Sequence, residues 1–149
     1  MSTIRVGING YGVIGKRVAD AVALQPDMEV VGVADTATDY RVELARLRGH
    51  ALFGSTPQAT VAMGAAGLEP TGELGDLLAN IDVIVDATPK HIGAANKARY
   101  DAAGVKSILQ GGERHELAGV RRLHTVTSRP PTCRRPPAGH GNAPANPTS

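Results

Sequence analysis

The sequence predicts an α/β fold, a doubly wound parallel sheet with helices on both faces, and three features carry that prediction. Residues 4–16, IRVGINGYGVIGK, run from a β-branched strand into a glycine-rich turn. Residues 16–25, KRVADAVALQ, continue as a helix, and Met28 to Ala34 returns to strand character, completing a βαβ unit. Farther on, IDVIVDATP at residues 81–89 is the nearly continuous apolar run of a strand buried on both faces in a parallel sheet.

In the first element Ile4, Val6 and Ile8 alternate as in a strand, and Ile14, Val18, Ala19 and Val22 then repeat at helical spacing. Between them stand Gly10, Gly12 and Gly15, each with its own physical job. Gly10 turns the chain off the strand, Gly12 lets backbone approach phosphate oxygens, and Gly15 lets helix and strand pack closely. The first-turn amides of the helix lack intrahelical partners, and its dipole is positive at that end, so an anion there is stabilised. In this βαβ context the pattern points to a dinucleotide and to a Rossmann-like sheet; a tight turn without a ligand is the alternative.

At the end of the second strand Asp35 lies about 20 residues beyond the last glycine, where such folds hydrogen-bond the adenosine ribose. A carboxylate there accepts from the ribose hydroxyls and repels a 2′-phosphate, which favours NAD over NADP. The alternative is that Asp35 or Asp39 caps the next helix, a role that suits Asp39, directly before YRVELARL.

Tyr40 to Arg48 reads as a short amphipathic helix ending at Gly49. Residues 50–75 are rich in Gly, Ala, Thr and Pro and read as an excursion with edge strands near Ala51 to Phe53 and Leu68 to Gly72. LGDLLANI then gives a short helix with Asp76 in its first turn. The apolar run from Ile81 to Ala87 stops at Thr88 and Pro89, and its carboxyl end is expected beside the first glycine turn, where sheet order reverses. Thr88 there is a cofactor contact or a simple turn residue. IGAANKARYDAAG forms the next helix and VKSIL another strand, followed by QGGE, whose Gly111 and Gly112 permit close backbone approach.

At 149 residues the chain accommodates one domain with a real core, too few for a cofactor domain plus a full catalytic domain. No apolar run approaches the roughly 20 residues that span a bilayer, and MSTIRVGI enters the first strand without a signal peptide. Together with a single cysteine, Cys133, this reads as cytoplasmic, with no membrane partner. All 14 acidic residues lie in residues 1–120, so the net charge of +2 conceals an acidic body and a basic end. From Arg121 the chain holds six prolines, five arginines and no acid, and it reads as an irregular, disordered Arg/Pro-rich tail. Arginines without interleaved aromatics make a poor nucleic-acid groove. The organisation expected is therefore a dinucleotide-binding domain over 1–120 and a tail over 121–149.

GINGYGVIGKRVADAV, VVGVADT, IDVIVDATP and QGGERHELAG, in that order, closely resemble the N-terminal domain of archaeal-type glyceraldehyde-3-phosphate dehydrogenases over about residues 3–120. The resemblance implies a Rossmann cofactor domain joined to an α+β catalytic domain in a tetramer. It implies reversible oxidative phosphorylation of glyceraldehyde 3-phosphate with NAD or NADP. Position by position it implies cofactor contacts at Gly10, Gly12, Val13, Ile14, Gly15, Asp35, Thr36, Thr88 and Gly111. Where the family often carries a lysine that helps accept the 2′-phosphate of NADP, this chain has Asp35.

The family's Ser-Cys-Asn-Thr-Thr motif, whose cysteine attacks the aldehyde, does not occur in this sequence. Cys133 stands in PPTCRRPP, with no element to position it, and neither His115 nor His124 has a recognisable partner as its base. No catalytic residue is therefore assigned, and no metal site, because the histidines and the cysteine show no ligand spacing. The substrate is not expected to bind fully to this chain. The dense resemblance stops within one or two residues of Val120, which suggests a change of reading frame there; a neighbouring frame of the coding DNA should then encode the cysteine motif. A noncatalytic NAD-binding module and another Rossmann dehydrogenase are the alternative readings.

Overall fold

The computed structural model describes residues 2–110. Gly111, His115, His124, Cys133 and the expected tail lie outside them. Six parallel strands, β1 (Ile4–Asn9), β2 (Met28–Asp35), β3 (Ala51–Gly54), β4 (Gly72–Glu73), β5 (Val83–Asp86) and β6 (Lys106–Leu109), form one sheet in the order β4-β3-β2-β1-β5-β6. Five helices connect them: α1 (Val13–Ala23), α2 (Tyr40–Leu47), α3 (Pro57–Ala65), α4 (Leu74–Leu78) and α5 (Ile92–Ala102). This is the expected doubly wound α/β sheet, and strand order reverses between β1 and β5.

Alternating side chains feed two cores. On one face Ile8, Val33 and Leu52 pack with Ala19 of α1, Val42 and Ala45 of α2, and Met63 of α3. On the other, Ala34, Phe53 and Ile84 pack with Leu74, Leu77 and Leu78 of α4 and Tyr100 of α5. Each fully buried Leu, Ile or Phe contributes about 1.5–3 kcal/mol through its transfer from water, so these layers supply most of the drive to fold.

Residues 50–75 depart from expectation. β3 is not an edge but lies between β2 and β4, and the strand expected over Leu68 to Gly72 is only Gly72–Glu73. Leu68 is buried in the core instead. Between them α3 was missed, because its Ala-, Gly- and Thr-rich sequence buries only Ala59 and Met63 and so carries almost no amphipathic signal. Its start is nevertheless written in the chain: the Thr56 hydroxyl accepts the Ala59 amide at 3.1 Å, and Pro57 occupies the first turn.

His50, between α2 and β3, stands edge-on to the Tyr11 ring with centroids 6.1 Å apart. Burial first, then the nearby Arg48, lowers its pKa, against a smaller opposing effect of Asp20. The unfolded chain therefore binds this proton more tightly than the folded one, so the neutral imidazole's contribution is complete above about pH 6.5 and shrinks as pH falls below it. The melting temperature is expected to fall between pH 7.5 and 5, and His50→Gln should flatten that slope. An unchanged slope in the variant would remove His50 as the cause.

Candidate functional site

Gly10 continues β1 past its last ladder position, and its amide donates to the Ala34 carbonyl at 2.7 Å. Its φ of +93° is a conformation that side chains rarely adopt, and a Cβ there would lie 3.0 Å from the backbone of Ala87 and Thr88. The turn after β1 thus packs directly on the turn after β5, the juxtaposition expected at the point of strand reversal. A Cβ on Gly15 would come within 1.9 Å of the Gly10 carbonyl oxygen, so α1 crosses this turn with no room for a methyl group.

Gly12 differs from both. It caps α1 with extended backbone at φ −76°, which any residue adopts, and, its chain neighbours and own helix aside, no atom of the described residues lies within 4 Å of the position a Cβ would take. Folding therefore makes no demand for glycine at position 12. α1 has no side-chain cap and no acidic residue in its first turn, so no side chain of its own holds the opening amides or offsets the positive end of the dipole. Val13 and Ile14 sit in that first turn with exposed side chains.

Asp35 ends β2 beside this turn. Its carboxylate accepts the Tyr11 amide at 2.6 Å on one oxygen, and the Thr36 and Ala37 amides at 2.7 and 2.9 Å on the other. It does not cap α2; Asp39 does, accepting the Arg41 amide at 3.0 Å, with the Arg41 guanidinium holding its carboxyl below the usual range. Asp35 therefore pins the glycine turn to β2, a job that spacing alone did not reveal. The oxygen that holds Tyr11 has capacity for a further donor.

A cleft opens across these strand ends, lined by Gly10, Asp35 and Thr36 on one side and by Thr88, Ile92 and Asn96 on the other. Of the nine positions expected to touch a cofactor, Gly10, Asp35, Thr36 and Thr88 line it, Gly12, Val13, Ile14 and Gly15 form the start of α1 that follows Gly10, and Gly111 falls outside the described residues. Sequence reading missed Ser55, Thr56, Asn96 and Arg99, which also line it. Asn9 and Asp86, polar residues closing the apolar strands β1 and β5, are buried beneath it, and that placement was their one legible signal. Among the described residues no cluster of His, Cys, Asp or Glu is placed to hold a metal, and no helix is long and apolar enough to cross a membrane.

The arrangement meets the steric and electrostatic needs of a dinucleotide: an uncapped helix start, a glycine with empty space before it, and an acid at the next strand's end. Among solved structures the fold is shared with GenD2 of gentamicin A biosynthesis, in complex with NAD, at TM-score 0.56 and 21% identity over 73% of this chain and 27% of that one. It is also shared with UDP-N-acetylglucosamine 3-dehydrogenase of Acidithiobacillus ferrooxidans, at TM-score 0.53 and 23% identity over 73% and 30%.

Sequence relatives are nearer. Glyceraldehyde-3-phosphate dehydrogenase of Thermococcus kodakarensis is 54% identical over 117 residues, which are 78% of this chain and 35% of the relative. That of Halobacterium salinarum is 52% identical over the same shares. The chain thus spans about a third of the length of these relatives. Residues 4–94 match the family described as glyceraldehyde 3-phosphate dehydrogenase, NAD binding domain. With the fold, the glycine turn and these relatives in agreement, the chain belongs to the glyceraldehyde-3-phosphate dehydrogenase family and carries its NAD-binding domain.

Proposed function

We propose that this chain binds NAD in preference to NADP across the carboxyl ends of β1, β2 and β5. The observation that carries the reading is Gly12, a glycine that the fold does not need and a bound phosphate would. The α1 amides at Val13, Ile14 and Gly15 would hold the pyrophosphate, Asp35 and Thr36 the adenosine ribose, and Thr88 the opposite wall. Gly111 belongs to the same set by family resemblance. The dinucleotide, when bound, supplies a hydride acceptor; the residues of this chain bind and orient it.

The cofactor domain is assigned to residues 1–120 and the remainder to a basic tail. By lineage the reaction served is phosphorylating oxidation of glyceraldehyde 3-phosphate in a tetramer. The absent Ser-Cys-Asn-Thr-Thr motif favours a second reading for this chain alone, a module that binds NAD without turnover. Purified protein given NAD, glyceraldehyde 3-phosphate and phosphate is expected to produce no NADH absorbance; sustained NADH formation would overturn the binding-only reading.

Calorimetric titration with NAD and NADP tests the cofactor assignment, with NAD expected to bind tighter. Asp35→Asn removes the charge that repels a 2′-phosphate and keeps one acceptor oxygen, enough for the Thr36 and Ala37 amides or for the Tyr11 amide but not for both. The variant's readout is therefore the ratio of the two affinities, which loosening of the turn lowers alike. Its NAD-to-NADP affinity ratio is expected to fall at least about tenfold, which is about 1.4 kcal/mol. A ratio unchanged by the substitution would take Asp35 out of cofactor choice.

A further inference from the structure

Beneath the cleft, one chain of hydrogen bonds runs from wall to wall. The Ser55 hydroxyl, after β3, donates to Asn9 Oδ1 at 2.6 Å, and Asn9 Nδ2 donates to the Tyr100 hydroxyl oxygen at 2.7 Å. Tyr100 in turn donates to Asp86 Oδ2 at 2.6 Å, which also accepts Asn96 Nδ2 at 2.9 Å. From the opposite wall, Thr88 gives both its amide, at 2.9 Å, and its hydroxyl to Asp86 Oδ1. Every donor points toward Asp86, the one carboxylate in this network.

Asn9 and Tyr100 are 0% exposed and Asp86 is 1% exposed, so the carboxylate is held by hydrogen bonds alone, without an ion pair among the described residues. Burying such a group is costly, and apolar side chains of similar volume would fill the space with less penalty. Stability is therefore a poor reason for this arrangement. Its ends are more informative: Ser55 and Thr88 both line the cleft, and Thr88 backs onto Gly10. The Ser55 carbonyl also accepts Arg99 Nη1 at 3.0 Å, which ties α5 to the far wall. Burial pushes the Tyr100 hydroxyl strongly up in pKa; the Asn9 bond opposes this and Asp86 adds to it, so the hydroxyl stays protonated and keeps its direction.

We propose that Asp86 and Tyr100 are positioning residues that set the separation between the Ser55 and Thr88 walls, and through it the affinity for the adenosine half of the dinucleotide. The inference rests on the dinucleotide-binding reading above. The adenosine half is specified because Asp35 and Thr36, at the ribose end, line the same cleft. Neither positioning residue needs to touch the ligand. Asp86 accepts four donors, a task the amide of an Asp86→Asn variant cannot perform because one of its two ends is itself a donor. Tyr100→Phe leaves the ring in place and removes only the link between Asn9 and Asp86.

The test titrates the whole 149-residue chain with NAD and with AMP, well below each variant's melting temperature. Asp86→Asn and Tyr100→Phe are expected to weaken both ligands by the same factor, at least about fivefold. Thr88→Val, which removes the hydroxyl donor to Asp86, should also weaken both ligands, and Thr88→Ser, which restores that donor, should bind both at least about threefold more tightly than Thr88→Val. The threonine pair keeps the test available if either core variant fails to fold. Melting temperatures that fall while both affinities hold would make the network merely structural and overturn the proposal. Loss of NAD binding with AMP unaffected would overturn it as well. A parent chain that binds neither ligand would instead defeat the dinucleotide reading on which the proposal rests.

Discussion

Gly12→Asp is expected to abolish measurable NAD binding while leaving the fold slightly more stable than before. Aspartate is a better helix N-cap than glycine by a few tenths of a kcal/mol, and α1 has no side-chain cap. The backbone at position 12 suits any residue, and no atom of the described residues crowds the position of the new Cβ. Its carboxylate, however, would stand where the pyrophosphate is proposed to sit. Two unit charges about 4 Å apart repel by about 4 kcal/mol at an effective dielectric near 20, so affinity should fall at least about 100-fold. Calorimetric titration and thermal melting of the same sample read the two effects separately. Retained NAD binding would show that the dinucleotide does not use the start of α1.

Gly15→Ala, three residues later, is expected to act in the opposite way, through the fold. Alanine is the better helix former by about 1 kcal/mol, which taken alone predicts stabilisation. The added methyl would lie 1.9 Å from the Gly10 carbonyl oxygen, a backbone atom that no rotamer change can move aside. Either α1 shifts outward or the glycine turn deforms, and overpacking of this kind outweighs the propensity gain. A net destabilisation of about 3 kcal/mol and a melting temperature lower by more than about 10 °C are expected. A variant as stable as the parent would mean that α1 and β1 are not packed this closely. Taken together, the two substitutions separate a glycine required by the ligand from one required by the chain.

Much of the architecture was readable because its signals are local. The alternation of Ile4, Val6 and Ile8, the helical spacing after Gly15 and the continuous apolar run before Thr88 each announce an element within a few residues. The order of these elements restricts the sheet to a parallel, doubly wound one. α3 escaped because its buried side is only Ala59 and Met63, too slight a stripe to stand out among alanines and glycines. The expected strand at Leu68 failed for a related reason: an apolar residue after a helix fills a core as readily as it pairs in a sheet, and here it fills the core.

The site divides in the same way. The glycine turn of Gly10, Gly12 and Gly15 and the acid Asp35 were legible from spacing, since the proposed phosphate cradle on a helix start demands small residues at set intervals. Ser55, Asn96 and Arg99 were not, because they meet at the cleft only after β3 and α5 are folded against the ends of β1 and β5.

By itself, then, the sequence determined the parallel α/β sheet, the glycine turn and the acid that follows it, all of which are announced by patterns within a few residues of chain or by the order of such patterns. Only the tertiary structure decided that Asp35 clamps the Tyr11 amide, that Gly12 faces open space, and that Asn9, Ser55, Tyr100 and Asp86 join in one buried network. The clamp and the network depend on hydrogen bonds between residues up to 91 positions apart, and the space before Gly12 on which residues fold near it; such partners are selected by burial and packing and leave no periodic trace in the chain.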